Sequence, residues 1–211
     1  MLPIDIHTHH LPAQPGAAIV NCFPETFAPR EGGWYSVGMH PWHVTRMPDE
    51  EQLSVWKELA GHPQVLAVGE AGLDKSAEAP LALQQEVFIR QARLAEETGK
   101  PLVIHAVKAA DELLLAKRTL QPSVPWLIHG FRGKAALAEV YLRHGFHLSF
   151  GEKYQEEALR AVPADRLFIE TDESTVPVEQ LYARAAEVRG VSLAGLTETV
   201  RQNVLRLFFK G

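Results

Sequence analysis

Three histidines and an aspartate crowd the start of the chain, in the segment Asp5-Ile6-His7-Thr8-His9-His10. Alternate side chains of a β-strand share a face. A strand through Leu2 to His7 therefore sets Asp5, His7 and His9 on one side and turns His10 away. Two imidazoles so placed could grip one metal ion, although the segment alone reads equally as a polar tail. Four further candidates stand where apolar runs end: Glu70 closes VLAVGE, His105 closes PLVIH, His129 closes PWLIH, and Asp172 follows RLFIET. Singly, each has a plain structural reading: a hydrogen-bonded histidine, a barrel-end ion pair, a helix cap. Gathered at one place, four histidines and two carboxylates offer the nitrogen and oxygen ligands that suit zinc, manganese or other divalent ions, and six ligands suffice for two ions. Such a pair can activate water and clamp a phosphoryl or carbonyl oxygen.

The elements that would gather them are legible as eight short apolar runs: LPIDI, AAIVNC, WYSVGM, VLAVGE, PLVIHA, PWLIHG, FHLSF and RLFIETD. They are apolar on both faces, as strands of a covered parallel sheet are. Helical patterns separate most of them. Asp49 is placed to cap a helix through Leu53, Trp56 and Leu59. A longer helix carries Leu81, Phe88, Ala92 and Ala95 on one stripe and stops at Gly99-Lys100-Pro101. Further helices are expected over Ala109 to Leu120, Lys134 to His144, Val178 to Arg189 and Leu193 to Phe209. Eight strands with intervening helices predict an α/β fold, a TIM-like (β/α)8 barrel over residues 1–211 as one domain, with the active site at the strand C-terminal ends. Between His9 and Trp34 there is no helical pattern, so the first crossover helices are expected to be reduced or missing. An open sheet of the same strand order is the alternative.

With 211 residues and 46% hydrophobic content, the chain is long enough for one full core. Its formal charge of −5 gives no general attraction for nucleic acid, so phosphate binding must be local. A single cysteine, Cys22, allows no intrachain disulfide and points to a reducing compartment. No signal-like start and no apolar run of spanning length is visible. The expectation is a cytoplasmic protein without membrane contact.

Seven motifs, in order, resemble those of the TatD-related metal-dependent hydrolases, a branch of the amidohydrolase-like barrels. DIHTHH resembles the opening aspartate–x–histidine–x–histidine. Gly38 to Pro41 in SVGMHPW resembles the glycine–x–histidine–proline signature, and Gly69 to Asp74 in AVGEAGLD the glutamate motif. LVIHA and WLIHGFRG resemble the two later histidine strands, FIETDES the glutamate–threonine–aspartate strand end, and QNVLRLF the C-terminal helix signature. The resemblance implies two divalent ions (Zn, Mn or Mg). His7, His9, Glu70 and Asp172 would surround one; Glu70, His105 and His129 would surround the other, with Glu70 bridging. Asp172 and Glu70 would be catalytic, Asp172 taking a proton from the attacking water. Asp5 would buttress a ligand and Asn203 would be structural. The implied activity is phosphodiester hydrolysis by metal-activated water, that of a deoxyribonuclease of the 3′ exonuclease type acting on single-stranded or frayed DNA ends.

The rim departs from the common pattern. Lys75 stands where an aromatic is usual, Val107 where an arginine is usual, and Glu173-Ser174 where a small residue and proline are usual. These positions bear on the substrate and leave the metal shell intact. His40, Lys108 and Arg132 are the candidates for substrate contact, Lys108 and Arg132 as cations for an anionic group; ordinary surface charge is the alternative. His43, Glu152 and Lys153 carry weaker claims. Trp34, Tyr35, Trp42 and Phe131 are the aromatics expected near the mouth, where they would offer stacking surfaces. His10, His62, His144 and His147 read as structural, and Cys22 as a small buried hydrophobe. The alternative functions are hydrolysis of a small phosphoester, amide or lactone, and a non-catalytic metal-binding barrel. A retained Asp172 argues against the last, since a scaffold needs no base.

Overall fold

The computed structural model describes residues 4–209. Eight parallel strands pair in sequence order: β1 (Asp5–Thr8), β2 (Ala18–Cys22), β3 (Trp34–Val37), β4 (Val65–Asp74), β5 (Leu102–Val107), β6 (Trp126–Ile128), β7 (Phe146–Phe150) and β8 (Leu167–Ile169). A parallel bridge between Thr8 and Asp172, just past β8, brings the sheet round into a nearly closed barrel. Each expected strand is present, although β4 runs four residues past Glu70 and β5 two past His105 rather than ending there. The first is set later than LPIDI suggests, and Leu2 and Pro3 of that run lie outside the described residues.

Among the described residues seven helices accompany the strands: α1 (Glu50–Gly61), α2 (Leu81–Thr98), α3 (Ala110–Leu120), α4 (Ala135–Arg143), α5 (Glu156–Ala161), α6 (Val178–Arg189) and α7 (Leu193–Phe208). Asp49 caps α1 through the Gln52 amide, and the Gln52 side chain returns the bond to the Asp49 N–H. Gly99 ends α2 in the left-handed region with φ 66°. Loops with one 3₁₀ turn, Pro24–Thr26, replace the first two crossover helices as expected. Helix α5 was not expected: at six residues it is too short to show a period.

The core lies between the sheet and the helices. All ten residues of β4 are buried, as a strand covered on both faces must be. Trp126, Phe88, Phe146, Phe150 and Phe168 are fully buried, each worth roughly 2–3 kcal/mol of apolar transfer. Trp126 meets Phe88 edge-on at 5.3 Å and Phe146 at 5.8 Å. Asn203 of α7 donates from Nδ2 to the carbonyls of Ala164 and Leu167, tying the last helix to the start of β8. This is the structural role expected of it. Gly72 lets β4 approach β5: a Cβ there would sit 2.0 Å from the His105 carbonyl oxygen. That approach sets the spacing between Glu70 and His105.

Candidate metal centre at the barrel mouth

His7 in β1, Glu70 in β4 and His105 in β5 come together with His9, His129 and Asp172, which lie just past the ends of β1, β6 and β8. Glu70 is the hub, buried in β4 with one oxygen turned to each side. Its Oε2 lies 3.3 Å from His7 Nε2 and 3.4 Å from His9 Nε2. These two nitrogens stand 3.9 and 3.6 Å from Asp172 Oδ1. Its Oε1 lies 2.7 Å from His129 Nε2, 3.0 Å from His105 Nδ1 and 3.2 Å from His40 Nε2. The six residues thus fall into two sets that share Glu70.

The backbone is shaped to make this possible. Asp172 takes a left-handed conformation, φ 56°, which Asp tolerates better than most side chains. Its N–H donates to the His7 carbonyl at 2.9 Å and its carbonyl accepts from the His9 N–H at 3.1 Å. His9 lies past the end of β1, and these bonds hold it over the site. Asp5 accepts from the Thr171 hydroxyl at 2.6 Å and the Thr171 N–H at 3.0 Å. It is the buttress expected, linking β1 to the strand-eight end; burial pushes its carboxyl up to about 7 against those bonds. His10 points away, with its ring on the Glu173 carbonyl.

Hydrogen bonding on the outer side of each ring sets what the inner side can do. His105 Nε2 faces Asp74 Oδ2 at 3.2 Å, and His129 Nδ1 faces Glu170 Oε1 at 3.3 Å. A carboxylate only accepts, and Glu70 on the inner side is one too, so with the outer N–H engaged the inner nitrogen meets Glu70 through a second proton or through a cation in its place. Nitrogen and carboxylate oxygen facing each other across 2.7 and 3.0 Å call for a positive charge between them, a proton or a cation. Both ring nitrogens of His7 are buried and lack a hydrogen-bond partner, although one lies against Glu70. The arrangement therefore fits divalent cations. His40 differs. Its Nδ1 accepts the Trp42 N–H at 3.1 Å, so the neutral ring carries its proton on Nε2 and is a donor at the site.

The electrostatics agree. Burial alone would raise the Glu70 carboxyl, but the His129 charge and the hydrogen bonds from His105, His129 and His40 hold it well below the usual range. Burial would lower His129, yet Glu70 and Glu170 raise it well above the ordinary histidine value. The Glu70 bond raises His9 against its burial, while burial keeps His40 below its ordinary value and neutral.

Three residues of the centre were not singled out from sequence. Asn21, near the end of β2, accepts the Glu70 N–H at 2.8 Å and donates to Glu70 Oε2 at 3.4 Å. Asp74 holds His105 and also accepts from Trp42 Nε1 at 2.6 Å. Glu170 holds His129 and is fully buried. Burial would raise the carboxyls of both Asp74 and Glu170. The hydrogen bond from Trp42 in one case and the His129 charge in the other keep them below the usual range. Both carboxylates lie inside the quoted motifs, Glu170 two residues before Asp172 and Asp74 four after Glu70. Their place in those motifs, close to a candidate ligand, is the signal the sequence carries for them.

The substrate candidates lie on the rim. Arg132, 62% exposed, reaches Asp172 Oδ2 at 3.6 Å. Lys108 is exposed past the end of β5, at φ 54°. A pocket of about 150 Å³ beside Asp172 is lined by Arg132, Glu152, Lys153, Glu173 and Ser174, among others. Lys75 is engaged elsewhere, 2.8 Å from Glu112. Of the four aromatics expected near the mouth, only Trp42 is exposed there. Tyr35 and Phe131 are buried, and Trp34 starts β3 at the opposite end, against Phe209. Among the described residues no helix is long and apolar enough to cross a membrane.

The chain is 31% identical over 195 residues to the uncharacterized metal-dependent hydrolase YabD of Bacillus subtilis, covering 82% of this chain and 76% of the relative. It is 31% identical over 207 residues to the 3′-5′ ssDNA/RNA exonuclease TatD of Cronobacter sakazakii, covering 85% and 78%. The crystal structure of YjjV, a TatD homologue from Escherichia coli K12, superposes with a TM-score of 0.84 at 20% identity over the whole of both chains, which shows a shared barrel. The family model described as TatD related DNase matches residues 25–209, and by that match the chain belongs to the TatD related DNase family.

Proposed function

We propose that this chain is a divalent-metal-dependent phosphodiesterase that shortens DNA or RNA from a 3′ end. The observation that carries this reading is Glu70, with one set of ring nitrogens on each of its oxygens. His7, His9, Glu70 and Asp172 would hold one cation, and Glu70, His105 and His129 a second, drawn from Zn, Mn or Mg. Bound cations supply a Lewis acid for the phosphoryl oxygen and lower the pKa of water. Asp172 accepts the proton of the attacking water. His40 donates from Nε2 toward a phosphoryl oxygen, and Arg132 and Lys108 meet its negative charge. The relatives named as exonucleases support a nucleic-acid substrate. The exposed rim residues, Arg132 and Trp42 among them, favour a polymer over a small enclosed substrate. We read residues 1–211 as one domain working in the cytoplasm, on the lone cysteine.

The test is hydrolysis of end-labelled single-stranded DNA with magnesium or manganese, beside Asp172→Asn. Stepwise shortening by the wild type is expected, with a loss of about 10²–10⁴-fold in the variant at unchanged melting temperature. Equal rates would remove Asp172 from its role. No shortening by protein shown to hold metal would refute the nuclease reading.

A further inference from the structure

An indole is anchored in water at the edge of the metal centre. Trp42 is 65% exposed, yet its Nε1 donates to the buried Asp74 at 2.6 Å. Its ring meets His40 edge-on with centroids 5.1 Å apart and stands 6.1 Å from His105. The 3₁₀ turn that carries it, Pro41–His43, is capped by His40 itself. The ring is thus fixed at one end and free over most of its surface. The aromatic surface continues outward: His43 lies 6.0 Å from His40 and 4.5 Å from Phe23.

A smaller donor would satisfy Asp74; the exposed indole surface needs another reason. A chain of net charge −5 gains little from general phosphate attraction, so a nucleic-acid substrate must be held by contacts of another kind. Aromatic faces stack on any base with little regard to sequence. We propose that Trp42 is a stacking platform for a nucleobase adjoining the scissile phosphate, the residue through which an unpaired strand end is held. The proposal rests on the nuclease reading above. A base can stack there only when it is free of its complement, so duplex ends must fray before they react.

The test uses three single-stranded oligodeoxynucleotides: one with all its bases, one abasic at the terminal nucleotide, and one abasic at the penultimate nucleotide. Rates are measured for the wild type, Trp42→Phe and Trp42→Ala. The wild type should favour the complete strand over one abasic strand by roughly 5- to 100-fold. Trp42→Phe keeps a ring and should retain most of that ratio; Trp42→Ala should bring it near one. If the indole serves only to hold Asp74, the two variants behave alike on all three strands. Equal rates on the three strands in the wild type, or a ratio that survives Trp42→Ala, overturn the proposal. Binding of the same strands, followed by fluorescence polarisation in Asp172→Asn with and without Trp42→Ala, separates the two readings. Base-dependent binding lost with Trp42→Ala, without any cleavage by the wild type, would sink the nuclease reading and leave the platform standing. Binding indifferent to the base would sink the platform.

Discussion

Glu170 gives the sharpest check on how the centre is held. Its Oε1 lies 3.3 Å from His129 Nδ1, and both residues are buried. With a cation on the inner side, His129 is neutral and donates its outer N–H to a charged acceptor. Such a bond is worth about 1.5–3 kcal/mol, against about 0.5–1.5 for a neutral one. Glu170→Gln keeps an acceptor and loses the charge, so cation affinity should fall about tenfold. Glu170→Leu loses both and should cost about a hundredfold, at the upper end of what such outer partners contribute. Without metal the order need not hold, because removing a buried carboxylate relieves its desolvation. The assay is competition with a chromogenic chelator for zinc or manganese, beside thermal melts in excess chelator. Variants that fold and bind the metals as tightly as the wild type would refute the claim that Glu170 sets the His129 ring.

Asn21→Ala leaves the Glu70 N–H without its acceptor and should cost about 1–3 kcal/mol in urea unfolding, with weaker metal binding. Gly72→Ala places a methyl group 2.0 Å from the His105 carbonyl oxygen and should cost about 3 kcal/mol or more, read by solubility and melting temperature. Burial, with help from Arg166 and Lys117, pushes His147 down to about 4, so between pH 6.5 and 4 the unfolded chain takes up a proton that the folded chain refuses. That stability is present above pH 6.5 and lost as pH falls toward 4. His147→Phe should therefore lose roughly 2–3 kcal/mol less than the wild type in urea titrations across that window.

The strands and the candidate ligands were legible because both are written locally. An apolar run states its own strand, as PLVIH and VLAVGE do, but not its end: β4 continues four residues past Glu70 and β5 two past His105, because the two strands pair with each other there. Asn21 was not legible, because its work depends on the distance from β2 to β4, which no local pattern records. Asp74 and Glu170 could be seen but not assigned, since only the fold shows which ring each one faces. The same limit misplaced Trp34, Tyr35 and Phe131: a residue near a strand in sequence can sit at either end or in the core. Helix α5 was hidden by its shortness.

The seam between the first and last strands has a mechanical consequence. Asp5 and Thr171, 166 residues apart, meet where β1 returns to the end of β8. Among the described residues the ladder across that seam is one bridge, at Thr8 and Asp172. His7 and His9 stand on one side of it and Asp172 on the other. A cation held by all three would be a clasp on the barrel: it would close a loop that runs through nearly the whole chain and could form only once the last strand had arrived. Loading the metal would then slow the parting of the two ends, and the chain's affinity for it would gauge whether the barrel is shut.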